Sequence, residues 1–143
     1  MGYTHYWYGN AKPISPDNWA NIRTEVEKLI AASPVQVLFE CDSNRPAEVT
    51  DDYIRFNGVH DDGHETFLLE REMEATSGRR NHRFACCKTA RKPYDLLVCA
   101  CLAVAAPYLL RVSSDGSIDE EWVEPLAWAS KVLNRPVTIK FKH

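Results

Sequence analysis

Between Cys87 and Asp95 the chain reads Cys-Lys-Thr-Ala-Arg-Lys-Pro-Tyr-Asp, the end of a run from Ala75 to Tyr94 that contains no acidic residue. Six of the 17 Lys and Arg residues (Arg79, Arg80, Arg83, Lys88, Arg91 and Lys92) fall in it, with His82, although the net charge of the chain is −3. The chemistry these types offer is anion binding. Arg91 can grip a phosphate with two N–H groups, Lys88 and Lys92 add point charges, and Thr89 adds a hydroxyl donor. Pro93 opens an apolar, helix-patterned segment, and a helix start offers unpaired N–H groups and the positive end of the dipole. Tyr94, or an aromatic residue from a strand, is placed to stack a base. The glycines of a Walker-type phosphate loop are absent. The competing reading is a solvated loop whose cations balance the acidic remainder.

Other candidates are weaker. His60-Asp61-Asp62-Gly63-His64-Glu65 packs metal-ligand types closely, but no distant Cys/His pair completes a site, so no metal or cofactor is expected. It reads as a polar hairpin tip with Gly63 at positive φ. His64-Glu65-Thr66 matches half of the His-x-Thr signature of two-histidine phosphoesterases, whose chemistry needs a second, facing copy, and none occurs. Cys87 beside Lys88 could be an activated thiol with His82 as partner, yet free structural thiols are the simpler reading of five cysteines without paired spacing. Ser114 and Asp115, with His64, could hydrogen-bond a ribose or a base edge. No catalytic residue is assigned.

The elements that must carry these residues follow from periodicity. Residues 2–8 alternate as a strand. Ser15-Pro16-Asp17 caps a helix over 16–32, with Trp19, Ile22, Val26, Leu29 and Ile30 at helical spacing. Strands are expected over 35–40, 53–58 and 66–71, the last two as a hairpin, and over 83–87. A helix should run from Pro93 to about Ala106, and a strand over 109–113. A capping box at Ser117 and Glu120 precedes a third helix, which Pro125 should kink or delay. Residues 137–142 alternate as a terminal strand. The fold class is α+β: a mainly antiparallel central sheet with about three helices packed on one face, in one domain over 1–143.

Composition excludes some functions. The chain is 45% hydrophobic and 26% charged, as in soluble globular proteins. The longest apolar run, Leu96 to Leu110, is short for a membrane span and contains Pro107. Residues 1–10 have no basic, apolar leader pattern, so no signal peptide is expected. The uneven charge disfavours duplex DNA. Oligomeric state stays open, and a homo-oligomer is compatible with the sequence.

"MGYTHYW" at 1–7, "HETF" at 64–67, "CKTARKPYD" at 87–95 and "SSDG" at 113–116 together resemble a group of small bacteriophage and prophage proteins. The resemblance implies a phage gene product acting in the bacterial cytoplasm, and action against host defence is the expectation by analogy. Three functional readings follow. The first is a non-enzymatic protein that sequesters a small phosphorylated ligand, such as a cyclic nucleotide or ADP-ribose-derived immune signal. It would use Lys88, Thr89, Arg91, Lys92, Tyr94, His64, Ser114 and Asp115. The second is a small phosphoesterase or nucleotide hydrolase using His64 with Asp61, Asp62 or Asp115. The third is a protein inhibitor that docks through the basic 79–92 stretch.

Overall fold

The computed structural model describes residues 2–76 and 82–142. It is an α+β fold with two antiparallel sheets in place of the one expected. The first sheet has β1 (Thr4–Tyr8) in the middle, flanked by β6 (Phe84–Lys88) and β7 (Arg111–Ser114). The second is built on β4 (Tyr53–Gly58), which pairs with β2 (Val37–Leu38), β3 (Glu48–Val49) and β5 (Phe67–Glu70).

Helix α1 (Pro16–Ala32) lies where its caps predict. The Ser15 hydroxyl accepts from Asn18 N, Pro16 opens the first turn, and Trp19, Ile22, Val26 and Leu29 face inward. Helix α2 (Asp95–Ala105) is apolar on every side because every side is covered: Leu97 to Ala105 are all buried, and it packs against both α1 and α3 (Val123–Leu133).

Several expectations need correction. The capping box does not form: α3 starts after Trp122 with no side-chain cap, and Glu121, not Glu120, reaches back to Ser117 N at 2.9 Å. Residues 137–142 keep the expected alternation, with Val137 and Ile139 buried, but form no strand. Lys142 N to Val112 O is their hydrogen bond to β7. The 35–40 strand shortens to two residues. In the 60–64 tip a 3₁₀ turn forms, and the positive φ belongs to His60 (50°), whereas Gly63 has φ −102°. Glycine is needed at 63 for space, since a Cβ there would sit 2.6 Å from Asn57 Oδ1.

Candidate functional site

Strand alternation sends His5 and Trp7 of β1, and Tyr3 just before it, into the core, with His5 opposite Cys87 of β6 and Ser114 of β7. The β6–α2 connection brings Thr89 and Asp95 under His5. Their side chains form one chain of hydrogen bonds. Ser114 Oγ lies 2.8 Å from His5 Nδ1, His5 Nε2 lies 2.6 Å from Asp95 Oδ1, and Thr89 Oγ1 donates to the same oxygen at 2.6 Å. Cys99, one helical turn after Asp95, donates its thiol to Asp95 Oδ2 at 3.5 Å. The His5 ring is held between the edges of Tyr3 and Trp122, with centroids at 5.0 and 5.2 Å.

The proton positions follow from counting. Ser114 Oγ accepts from Trp122 Nε1 at 3.1 Å and from Gly116 N at 2.9 Å, which fills both lone pairs. Its own proton therefore goes to His5 Nδ1, and the imidazole N–H is at Nε2, pointing at Asp95. Serine, histidine and aspartate are thus ordered as in a hydrolytic triad, but Ser114 has no lone pair free to attack a carbonyl or phosphorus atom and His5 is wholly buried.

The same count bears on metal. His5 Nε2, the Asp95 carboxylate and Cys99 Sγ lie within 4.8 Å of one another, the one group of metal-binding types so placed among the described residues. A metal would need the bare Nε2 and a thiolate. Here Nε2 carries the proton, and burial pushes the Cys99 thiol well above its ordinary value, with the Asp95 charge adding to the shift. The geometry is that of a hydrogen-bonded cluster.

Asp95 connects this interior to the surface. Its side chain is 17% exposed and forms part of a groove of about 370 Å³ together with Pro34, Val35, Arg91, Lys92, Pro93, Leu96, Glu121, Glu124 and Pro125. Burial pushes the Asp95 carboxyl up, but the hydrogen bonds from His5, Thr89 and Cys99 outweigh it and leave the carboxyl below its ordinary value. Above it, Ala90 and Arg91 both take left-handed backbone conformations, with φ of 52° and 60°. This sharp turn folds Arg91 back over the Tyr3 ring, 4.1 Å from its centroid, and within 3.4 Å of Glu121 Oε2.

The sequence-derived site residues therefore separate. Arg91 and Lys92 meet in the groove. Lys88 lies on the sheet face opposite Cys87, and its N–H binds Glu65 Oε1 at 2.7 Å. Thr89 is buried and committed to Asp95, and Ser114 is committed within the network. Asp115 binds Thr4 N and Tyr6 Oη, each at 3.0 Å. Tyr94 is not a stacking residue: it is wholly buried, and its hydroxyl donates to Glu65 O at 2.5 Å. His64 is exposed at the edge of the second sheet. The Thr66 hydroxyl next to it is held by Asn57 Nδ2 at 3.1 Å. The helix N-terminus offers less than its sequence implied. The N–H groups of Asp95, Leu96, Leu97 and Val98 already bind carbonyls of Lys92, Pro93 and Tyr94. Cys87 is buried against Glu65 O and Tyr94, and burial pushes its thiol up to about 12, the opposite of an activated nucleophile.

No protein-family model, curated protein or solved structure matches the chain. The motifs nevertheless meet in space. His5 comes from "MGYTHYW", Thr89 and Asp95 from "CKTARKPYD", and Ser114 from "SSDG". "HETF" adjoins them through Glu65, whose N–H donates to Lys88 O at 3.2 Å. Three members, His5, Asp95 and Cys99, were missed: His5 and Cys99 read as ordinary core residues and Asp95 as the acid that ends the basic run. The Asp95-x-x-x-Cys99 spacing, which stacks two polar groups on one face of an apolar helix, was the available signal.

Proposed function

We propose that the protein binds, without cleaving, a small phosphorylated, nucleotide-like ligand in the groove beside Asp95. The observation that carries this reading is the pairing of two cations at the groove with a polar interior that has no free nucleophile. Arg91, with its side chain 62% exposed, and Lys92 offer the phosphate contacts. Pro34, Val35, Leu96 and Pro125 give an apolar wall for a base. Glu121 and Glu124 are acceptors for ribose hydroxyls or an exocyclic amine. The volume falls in the range of small-ligand sites. Glu121 now holds Arg91 through two contacts of 3.4 Å, long enough for a phosphate to displace. A cyclic nucleotide or ADP-ribose-derived signal, the class suggested by analogy with phage counter-defence proteins, has this mix of groups, and a binder of this kind would act by sequestration.

The test is calorimetric titration with a panel of mononucleotides, cyclic nucleotides and ADP-ribose derivatives, followed by denaturation and recovery of the ligand. One panel member should bind at one per chain and be recovered intact. Arg91→Ala should weaken it by about 1.5–3 kcal/mol, roughly 10- to 150-fold. The variant also loses the contact with Tyr3, about 0.5–1 kcal/mol of stability, so a thermal melt must show it folded. Recovery of a cleaved product would make the protein an enzyme and refute the binding-only reading.

A further inference from the structure

The His5 network occupies one side of the β6–β1–β7 sheet; the other side carries a second array. The register sets Phe84, Cys86 and Lys88 of β6 beside Tyr8, Tyr6 and Thr4 of β1. Arg111 and Ser113 of β7 flank Tyr8 and Tyr6. All of these share the face opposite the buried His5, Trp7, Cys87 and Val112. Its rings form a continuous patch. Tyr6 and Phe84 are near parallel at 6.2 Å, His82 and Phe84 near parallel at 6.3 Å, and Tyr8 closes on Phe84 at 5.1 Å. The Arg111 guanidinium lies over the Tyr8 ring at 4.1 Å.

We infer that this face binds single-stranded nucleic acid, with bases stacked on Tyr6, Tyr8 and Phe84 and phosphates on Lys88 and Arg111. Charge selects this occupant. The patch has a cation at each end, and β6 lies wholly within the acid-free run. Two acids adjoin this face, and both are engaged: Asp115 accepts from Thr4 N and Tyr6 Oη, and Glu65 accepts from Lys88 N. An open antiparallel sheet with aromatic residues on its two neighbouring strands reads unpaired bases, because every base has a π-face. A duplex hides those faces, and the net charge of −3 gives it little long-range attraction. With two phosphate contacts the logarithm of affinity should fall with the logarithm of salt at a slope of about −1.4.

The test is fluorescence anisotropy of labelled dT12 and rU12 with the intact protein. Binding with a salt slope between about −1 and −2 is expected. Tyr8→Ala and Phe84→Ala should each lose at least fivefold in affinity. Tyr8→Phe should retain it, as should Arg23→Ala, which removes a cation on α1 that pairs with Asp51. Cys86, exposed in the middle of the face, allows a check without mutation: dT12 should slow its alkylation by N-ethylmaleimide, read by peptide mass spectrometry. Absence of binding would overturn the inference. So would binding with unchanged Cys86 alkylation, or a dimer dissolved by Phe84→Ala, which would make the occupant a second copy of the chain. Because the groove lies elsewhere, loss of Arg91-dependent ligand binding would leave this result standing.

Discussion

At the scale of the residue, Ser114 decides how the interior works. One hydroxyl satisfies an indole N–H, a backbone N–H and an imidazole nitrogen, so its removal leaves two buried groups, on His5 and Trp122, and the half-buried Gly116 N–H unpaired at once. Ser114→Ala should therefore destabilise the fold by far more than a surface serine would, about 2–4 kcal/mol, since each orphaned group costs roughly 1–3 kcal/mol before local relaxation. Urea unfolding at neutral pH measures this. A loss below about 0.5 kcal/mol would mean that water replaces the hydroxyl and that His5 is not fixed in the assigned tautomer. The same residue shows what sequence could convey. Ser114 and Asp115 were legible as polar groups in a turn signal. That one faces the core and the other the opposite side depends on the register with β1, which no local pattern contains.

At the scale of the element, the turn between β6 and α2 is where local sequence and fold disagree. Helix α1 was readable to its ends because its signals are local: a capping hydroxyl, a proline at the first position, an acid in the first turn. The 137–142 segment was not, because alternation reports burial whereas a strand requires a partner for its backbone. The Ala90-Arg91 turn carried no glycine to announce its left-handed backbone. For an L residue that conformation costs about 1–2 kcal/mol, more than the roughly 0.5–1 kcal/mol of extra chain entropy that glycine loses on folding. Ala90→Gly should accordingly leave stability unchanged or raise it by up to about 1 kcal/mol, where most alanine-to-glycine changes destabilise. A lower melting temperature for Ala90→Gly would show the turn to be unstrained. If strain holds Arg91 over Tyr3, the glycine variant should also bind the groove ligand more weakly, because its turn is less fixed.

At the scale of the whole molecule, Asp95 joins the parts. Through it β1, the β6–α2 turn and α2 share one set of hydrogen bonds, and Ser114 extends that set to β7 and to Trp122 before α3. Hydrogen bonds to the carboxylate from His5, Thr89 and Cys99 hold its carboxyl below the ordinary value against the opposing effect of burial. The groups that face it are His5 from β1 and Tyr3 just before it, Cys99 from α2, and Arg91, Lys92, Glu121 and Glu124 around the groove. A carboxyl depressed on folding stabilises the protein above its unfolded value, near 4, and that stability disappears as pH falls through the lower folded value. Other carboxylates also titrate in acid, so the wild type alone is ambiguous. Glu48 and Glu121 are depressed and half-buried, and burial raises Glu70. Asp95→Asn separates them. The amide oxygen can still accept from His5 and Thr89, but it has no charge to lose. The wild type should be more stable than Asp95→Asn at pH 7, and the gap between their urea midpoints should hold down to about pH 4 and shrink below it. A gap constant from pH 7 to pH 3 would mean that the Asp95 charge contributes nothing, and that the network joins sheet to helices by neutral hydrogen bonds alone.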